Sequence, residues 1–502
     1  MRFCFLVFIF SFGVPAAPVL LSPVDGADEV GVYPDFLWEC PGVKSDTGET
    51  RCRIQVAADP AFADPLVDAE TVIDRFVPAD HPLEPGKAYF WRVGTSEAGR
   101  TGAWSETRRF RVADFNRHVV DVGAEHTVEQ VRAAFENARQ NAPATVRLTE
   151  DVSWEAQETD LFRLEGFRNV RFDGNGHTVT VTRPANRLFH VLKSRTLVFS
   201  NFKVDYVPLP YVLCEVTEMD AEANRLIVRT VSNEENPCLE LNHPLMLGAV
   251  RTHMRLLDRD HPGAVAFGAE TYIHDGKQEY LRSFRGDDGN LRHVIQLNPH
   301  WYTTADFAVG DLLLRVARGT SVNIVRAANS QHICIDHVTA YSSPSQFVSS
   351  IDGSGLVVVH SGVERKKGRY CSVTADSIYV RRNEIGPWVQ SSRFIANGDD
   401  CMNLHSIGGP VLSKADEYTL VTNRATALRL DPGDRVAIWA ADPGHIPPVT
   451  TRVVAKDLEA VTVTVADPVG PVRTDTDRAR GDTYIYNLTK SNRRFVVKNN
   501  VI

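Results

Sequence analysis

Short apolar runs separated by turn residues set the pattern of this chain. Between residues 18 and 113 they are Phe36-Leu37-Trp38, Cys52-Arg53-Ile54-Gln55-Val56, Ala88-Tyr89-Phe90-Trp91-Arg92-Val93 and Phe110-Arg111-Val112. Brief β-rich runs with turns between them, over about a hundred residues, predict a small β-sandwich. From about residue 119 the pattern changes. Thr127-Val128-Glu129-Gln130 is a capping box that opens a helix through Arg139, with Val131, Ala134, Phe135 and Ala138 on one face. After it come Val146-Arg147-Leu148, Phe162-Arg163-Leu164, Val170-Arg171-Phe172, Thr178–Val181, Leu188–Val191 and Leu197-Val198-Phe199. These strands are too short and too many for an α/β sheet. Turns of Asn, Ser and Gly between apolar triplets, such as Asp173-Gly174-Asn175-Gly176, suit the corners of a parallel β-helix. A second stretch of this kind runs from Ser321 to His405. A second sandwich, the alternative, would show cleaner alternation and hairpin turns.

Two segments, about 208–318 and 407–490, interrupt that solenoid with longer alternating strands. Val309-Gly310-Asp311-Leu312 matches Pro432-Gly433-Asp434-Arg435, and Glu215-Val216-Thr217 followed by Leu226-Ile227-Val228 echoes Val453-Val454-Ala455 followed by Val461-Thr462-Val463. This weak internal repeat predicts two small antiparallel β-barrels inserted into the helix. Arg494–Ile502 reads as a further coil with nothing over it. A bare apolar end is a sticky edge, so the natural C-terminus is expected to lie beyond Ile502.

Export is the expectation for the N-terminus. Arg2 precedes the apolar run Phe3–Val14 and the small residues Ala16-Ala17, which makes 1–17 a signal peptide; a buried first strand is the alternative. Localisation is then secreted or periplasmic. Past it no apolar run is long enough to span a bilayer. With 55 Lys+Arg against 63 Asp+Glu and no basic block, nucleic acid is not the expected partner. An oxidising compartment permits disulfides. Cysteines 40, 52, 214, 238, 334, 371 and 401 contain no zinc-type CxxC pair, and their odd number leaves at least one unpaired. Cys40 and Cys52 flank a turn-rich stretch and are candidates to bridge neighbouring strands, but the spacing alone leaves the connectivity open.

Pro18–Pro23, Trp38, the turn Leu83-Glu84-Pro85-Gly86, the Tyr89/Trp91 strand and Gly102-Ala103-Trp104-Ser105 together resemble a fibronectin type III domain over 18–113. Such a module implies a spacer or docking role and no chemistry. Trp38, Trp91 and Trp104 are read as core and not as a sugar platform.

The candidate chemistry lies on aspartates. Thr374-Ala375-Asp376-Ser377 is followed by Asn397-Gly398-Asp399-Asp400-Cys401-Met402-Asn403-Leu404-His405. Asp399 and Asp400 lie 23 and 24 residues after Asp376, about one coil of a β-helix. Coils stack at the strand spacing of about 4.8 Å, so one-coil separation sets Asp376 beside the pair. Adjacent strand residues point to opposite faces unless a bulge or bend turns both outward. Crowded carboxyls cannot all ionise cheaply, and this is how one is kept as an acid while its neighbour acts as a base. Calcium binding is the competing use of such a cluster, but no third acidic segment completes a shell, because Asp352-Gly353-Ser354-Gly355 reads as a corner turn.

The segment Thr374–His405, with Pro432-Gly433-Asp434 and the return through Tyr484–Leu488 and Phe495–Ile502, resembles glycoside hydrolase family 110, the α-1,3-galactosidases, over about 119–502. The resemblance implies an all-β chain, a right-handed parallel β-helix of the pectin-lyase-like kind with inserted barrels. It also implies an exo-acting, inverting hydrolase that needs no metal and no cofactor and takes a glycan as partner. On these positions Asp399 would be the general acid, Asp376 with Asp400 would activate water, and Asn403 and His405 would hold sugar hydroxyls. Trp388, in Gly386-Pro387-Trp388, is a candidate sugar-stacking ring, or packing between coils. Ser406 stands where the family usually has Gly. The polygalacturonases are a second resemblance, through Gly398-Asp399-Asp400-Cys401, but their later Gly-His-Gly and Arg-Ile-Lys motifs have no counterpart here. Two other classes stay open. A polysaccharide lyase would take its base from Arg381, Arg382 or Arg393, and a non-catalytic glycan-binding β-helix would keep the solenoid alone.

Overall fold

The computed structural model describes residues 17–40, 51–97, 100–247, 251–258, 273–274, 277–318, 322–440, 449–472 and 483–502. The signal-peptide expectation falls outside them, apart from Ala17. Two compact units are present, residues 1–117 and 118–502. No helix among the described residues is long and apolar enough to cross a membrane.

The first unit packs two sheets. One joins Val19–Ser22, Phe36–Glu39 and Arg75–Phe76; the other runs Ala27–Val30, Arg108–Val112, Ala88–Glu97, Arg51–Ala57, Val67–Thr71, with Arg100–Trp104 also on Ala88–Glu97. Leu20, Phe36 and Trp38 from the first meet Ile54, Val56, Trp91, Val93 and Phe110 from the second. Burial of these inward faces is the main force holding the sheets together. Trp38 and Trp91 are fully buried core residues, whereas Trp104 carries the Arg92 guanidinium 4.3 Å from its ring centre. Cys40 and Cys52 form a disulfide, joining strands of the two different sheets.

The second unit is a parallel β-solenoid whose rungs form three ladders. Val146, Phe172, Phe199, Ile335, Val358 and Val389 stack as one inward column. Phe162, Phe189, Val325, Val348, Ile378 and Met402 form a second. Val152, Val179, Val204, Ala340, Val363 and Phe394 form the third. Each rung adds apolar side chains to one continuous core, which is why the triplets recur with β-branched and aromatic residues. The helix Val128–Gln140 closes the first end. Thr127 and Gln130 make the reciprocal capping-box bonds, and Phe135 packs its ring against those of Phe162, Phe172 and Phe189.

The two inserts share one fold in permuted order. The second is a closed barrel: Gly409–Lys414, Thr419–Thr422, Thr462–Val465, Val449–Asp457, Arg435–Ala440, Thr483–Asn487. The first runs Gln278–Arg285, Leu291–Leu297, Arg225–Thr230, Tyr211–Asp220, Leu312–Arg318, Arg251–Leu256, with Ile273–His274 on its edge. Strand for strand these orders correspond, but in the first insert the chain enters at the counterpart of Val449–Asp457. Pairing of its outer strands to complete a barrel is not seen among the described residues. The Gly-Asp turns agree in detail. Gly310 and Gly433 adopt φ of 91° and 94°, donating to the carbonyls of Val216 and Val453, each at 2.8 Å. Asp311 and Asp434 accept from the backbone N–H three residues earlier, at 2.7 and 2.8 Å.

Candidate active site

The strand Ile378–Arg381 lies one rung before Met402–His405, paired in parallel from Ile378 with Met402 to Arg381 with His405. Just upstream, Ser377 N–H donates to the Asp400 carbonyl at 3.1 Å, and Gly398 N–H donates to that of Val373 at 2.7 Å. This register sets Asp376 against the Asp399-Asp400 pair. One carboxylate oxygen from each of the three lies within 4.8 Å of the others. Gly398 and Asp399 sit in a bend and not in a strand, so neighbouring side chains both reach the cluster. Asp376 is 4% exposed, Asp399 half-buried and Asp400 exposed: the cluster runs from the solenoid wall out to solvent.

Two features hold the loop. A Cβ on Gly398 would lie 2.4 Å from both the backbone carbon and the oxygen of Thr374, so only glycine permits this approach. Arg255, from the first insert, donates its guanidinium to the Gly398 carbonyl. The same insert packs Leu209, Tyr211 and Leu314 around Cys371, and Arg369 Nε donates to Asn236 at 2.8 Å. The insert therefore braces both chain segments that carry the aspartates.

A hydrogen-bonded chain leads away from Asp400. Asn403 Nδ2 donates to Asp400 Oδ2 at 3.3 Å, His405 Nδ1 lies 2.8 Å from Asn403 Oδ1, and Tyr379 Oη lies 3.3 Å from His405 Nε2. One assignment satisfies every pair: Tyr379 donates to Nε2, and a neutral imidazole donates from Nδ1 to Asn403. Burial, aided by the charges of Arg381 and Arg382, lowers the His405 pKa, which favours that neutral form. Burial pushes the Cys401 thiol up to about 11, which disfavours the thiolate that nucleophilic attack requires.

Asp376, Asp399, Asp400, Asn403 and His405 thus come together. Trp388 does not. It belongs to the ladder through Val357 and Val496, is 3% exposed, and donates its indole N–H to Gln390 at 2.9 Å. This corrects the sugar-stacking assignment; the ring packs on the solenoid, with Lys498 Nζ 5.2 Å from its centre. Asp352 adopts the corner conformation, with φ of 54°, and its carboxylate is engaged by Arg382 at 2.7 and 2.6 Å. Arg393 lies in another ladder. Of the three arginines, Arg381 alone is on the site's strand without a carboxylate partner among the described residues, and its Nε is buried without a hydrogen bond.

Sequence reasoning missed Tyr379, Arg255 and Arg326. Tyr379 stands one rung from Asn403 and two from Arg326, through Ser349, so a one-coil offset from Asn403 is the signal that finds it. Arg326 has its pKa lowered by burial and then by the charge of Arg381. Nothing in the sequence points to Arg255, which arrives from a different fold element.

No protein-family model matches this chain, and no curated protein matches it. Among solved structures, the chain is similar to a crystal structure of pectate lyase Pel3 from Pectobacterium carotovorum with two monomers in the asymmetric unit. Identity is 7%, coverage is 77% of this chain and 91% of that one, and the TM-score is 0.18. A second structure of the same enzyme, with one monomer in the asymmetric unit, gives 8% identity, 76% and 86% coverage, and a TM-score of 0.16. Likenesses this slight carry no argument about the site, and the β-solenoid assignment rests on the parallel pairing described above.

Proposed function

We propose that this chain is an exported glycoside hydrolase that releases a terminal α-1,3-linked galactose, inverting and without a metal. The observation that carries the reading is the convergence of three carboxylates from successive rungs on one solenoid face. Two oxygens that each hold the same water at about 2.8 Å, with a tetrahedral angle between them, stand about 4.6 Å apart. Asp376 and Asp400, whose oxygens lie within 4.8 Å, suit that clamp. They would orient the attacking water and take its proton. Asp399 would protonate the departing glycosidic oxygen, while Asn403 and His405 would hold sugar hydroxyls by exchanging the long 3.3 Å bonds to Asp400 and Tyr379 for bonds to the substrate. Inverting enzymes hold acid and base about 6.5–9.5 Å apart, so the mechanism requires the Asp399 side chain to turn outward as the sugar enters. The sandwich unit would serve as a spacer or docking module.

A calcium-dependent polysaccharide lyase is the second reading. It is favoured by the same close carboxylate spacing, which suits a hard cation, and by Arg381 as base.

The test is sugar release from an α-1,3-galactosyl disaccharide, with the product anomer followed by proton NMR and one arm containing EDTA. β-Galactose released in both arms supports the proposal, and Asp399→Asn is then expected to lower turnover by about 10²–10⁴-fold with the fold intact. α-Galactose as first product overturns the inverting assignment. Unsaturated products from polygalacturonate, lost with EDTA, establish the lyase.

A further inference from the structure

One corner of the solenoid repeats a left-handed residue on successive rungs. Register places Asn201, His337, His360, Ser391 and Asn499 one above another, with φ of 58°, 53°, 48°, 52° and 55°. Asparagine is at home in this conformation because its short side chain bonds locally. At the second and third of these rungs the chain has histidine, and the imidazoles stack with centres 4.7 Å apart and planes at 27°.

Asp336 precedes the first of them. Its Oδ1 lies 2.6 Å from His337 Nδ1 and 3.7 Å from His360 Nδ1. The first distance is a hydrogen bond and the second is too long for one. His360 Nδ1 is buried and has no hydrogen-bond partner among the described residues. Ligand atoms from all three side chains lie within 4.8 Å of one another. Tetrahedral zinc with bonds of about 2.0–2.2 Å separates its ligand atoms by about 3.3–3.5 Å, a value between the two observed. Small side-chain rotations would bring both nitrogens and the oxygen onto one ion. The His337 side chain is 57% exposed and borders a shallow cavity of about 330 Å³ with Lys203 and Asn201. That gives an ion a path in and leaves a coordination position open to water.

We propose that Asp336, His337 and His360 form a site for one divalent transition-metal ion of the zinc type, clasping two neighbouring rungs of the solenoid. Two imidazoles and one carboxylate select such an ion over calcium or magnesium, which take mostly oxygen ligands. Asp336 pairs in a different ladder from the strands flanking the Asp376 cluster, so the site is independent of the proposed catalytic reading.

Isothermal titration of the untagged, EDTA-treated and dialysed full chain with ZnCl₂ tests it. The expected result is one ion bound, with affinity at least tenfold weaker in His337→Asn and in His360→Asn, and unchanged in Asp399→Asn. Asparagine already occupies this corner at Asn201 and Asn499, so both histidine variants should fold. A higher melting temperature with ZnCl₂ in the parent, absent in the double histidine variant, is the second expected readout. The proposal is overturned by no uptake, by unchanged affinity in both histidine variants, or by loss of binding in Asp399→Asn.

Discussion

Replacing Gly398 by alanine tests whether the aspartate cluster depends on the close approach of two rungs. The added Cβ would lie 2.4 Å from the Thr374 carbonyl carbon and oxygen. Ordinary contact for such atoms begins near 3.5 Å, so the rungs must part by about 1 Å. Thr374 is fully buried, and its backbone is tied through Ser343 at 3.1 Å. Most of the displacement therefore falls on the Asn397–Asp400 loop, which carries two of the three carboxylates. Overpacking of this kind costs about 1–3 kcal/mol, which a solenoid of this length should tolerate. A 1 Å misplacement of reacting groups can cost about 10²-fold in rate. The expected result is a melting curve lowered but still cooperative, with turnover in the proposed galactosyl hydrolysis down by about two orders of magnitude. Gly470→Ala is the control, since nothing lies within 4 Å of its added Cβ. Unchanged turnover in Gly398→Ala, with the Asn397–Asp400 loop displaced from Thr374 by crystallography, would refute the argument that rung spacing sets the site.

Further predictions concern the groups around that face. Asp205 and Arg369 are 3% and 4% exposed and joined by bonds of 2.6 and 2.9 Å; Arg369→Met leaves the carboxylate with Lys366 and Ser342 and should cost somewhat less in urea unfolding than the roughly 3–5 kcal/mol of a fully unpaired buried charge, whereas adding Asp205→Asn should recover part of the loss. Burial alone would raise the Asp205 pKa, but Arg369, Lys366 and Ser342 bond the carboxylate and hold it below the usual range. Its contribution to stability is therefore present above the unfolded value of about 3.9 and lost as pH falls through the lower folded value; Asp205→Asn should flatten that acid limb, and an unchanged limb would remove Asp205 from it. His405, lowered from 6.5 by burial and by Arg381 and Arg382, should titrate below 6.5 and show the Nδ1–H tautomer by nitrogen NMR at pH 7. A midpoint at or above 6.5 counts against the Tyr379–His405–Asn403–Asp400 chain.

The sequence carried the solenoid because a β-helix writes its register into its spacing. Apolar triplets at coil intervals, as at Val146, Phe172 and Phe199, have no other way to bury their side chains together. The capping box at Thr127 was legible for a different reason, since both of its bonds join residues three apart. The same arithmetic placed Asp376 beside Asp400. It did not reveal what Trp388 touches, because an aromatic residue on a strand looks alike whether it meets a sugar or a lysine ammonium, and only the ladder it joins decides.

Contacts between inserts and coils are illegible for a deeper reason. Arg255 reaches Gly398 across 143 residues, and no periodicity links a barrel-like sheet to a solenoid loop. The permuted insert shows the limit well. Its Gly-Asp turn and its paired strands were recognisable as separate echoes of the second insert, yet the changed chain order could not be read from them, because each echo is local. A local motif reports the bonds within its own turn, as Asp311 and Asp434 do; order around a sheet is set by which distant strands share hydrogen bonds. The catalytic reading depends on both kinds of information. Asp376, Asp399 and Asp400 are gathered by local register, but the brace that keeps Asp399 and Asp400 against the wall comes from the insert. Activity should therefore prove sensitive to Arg255→Ala through turnover more than through affinity, because Arg255 holds the loop's backbone and no contact of its own with the sugar is required.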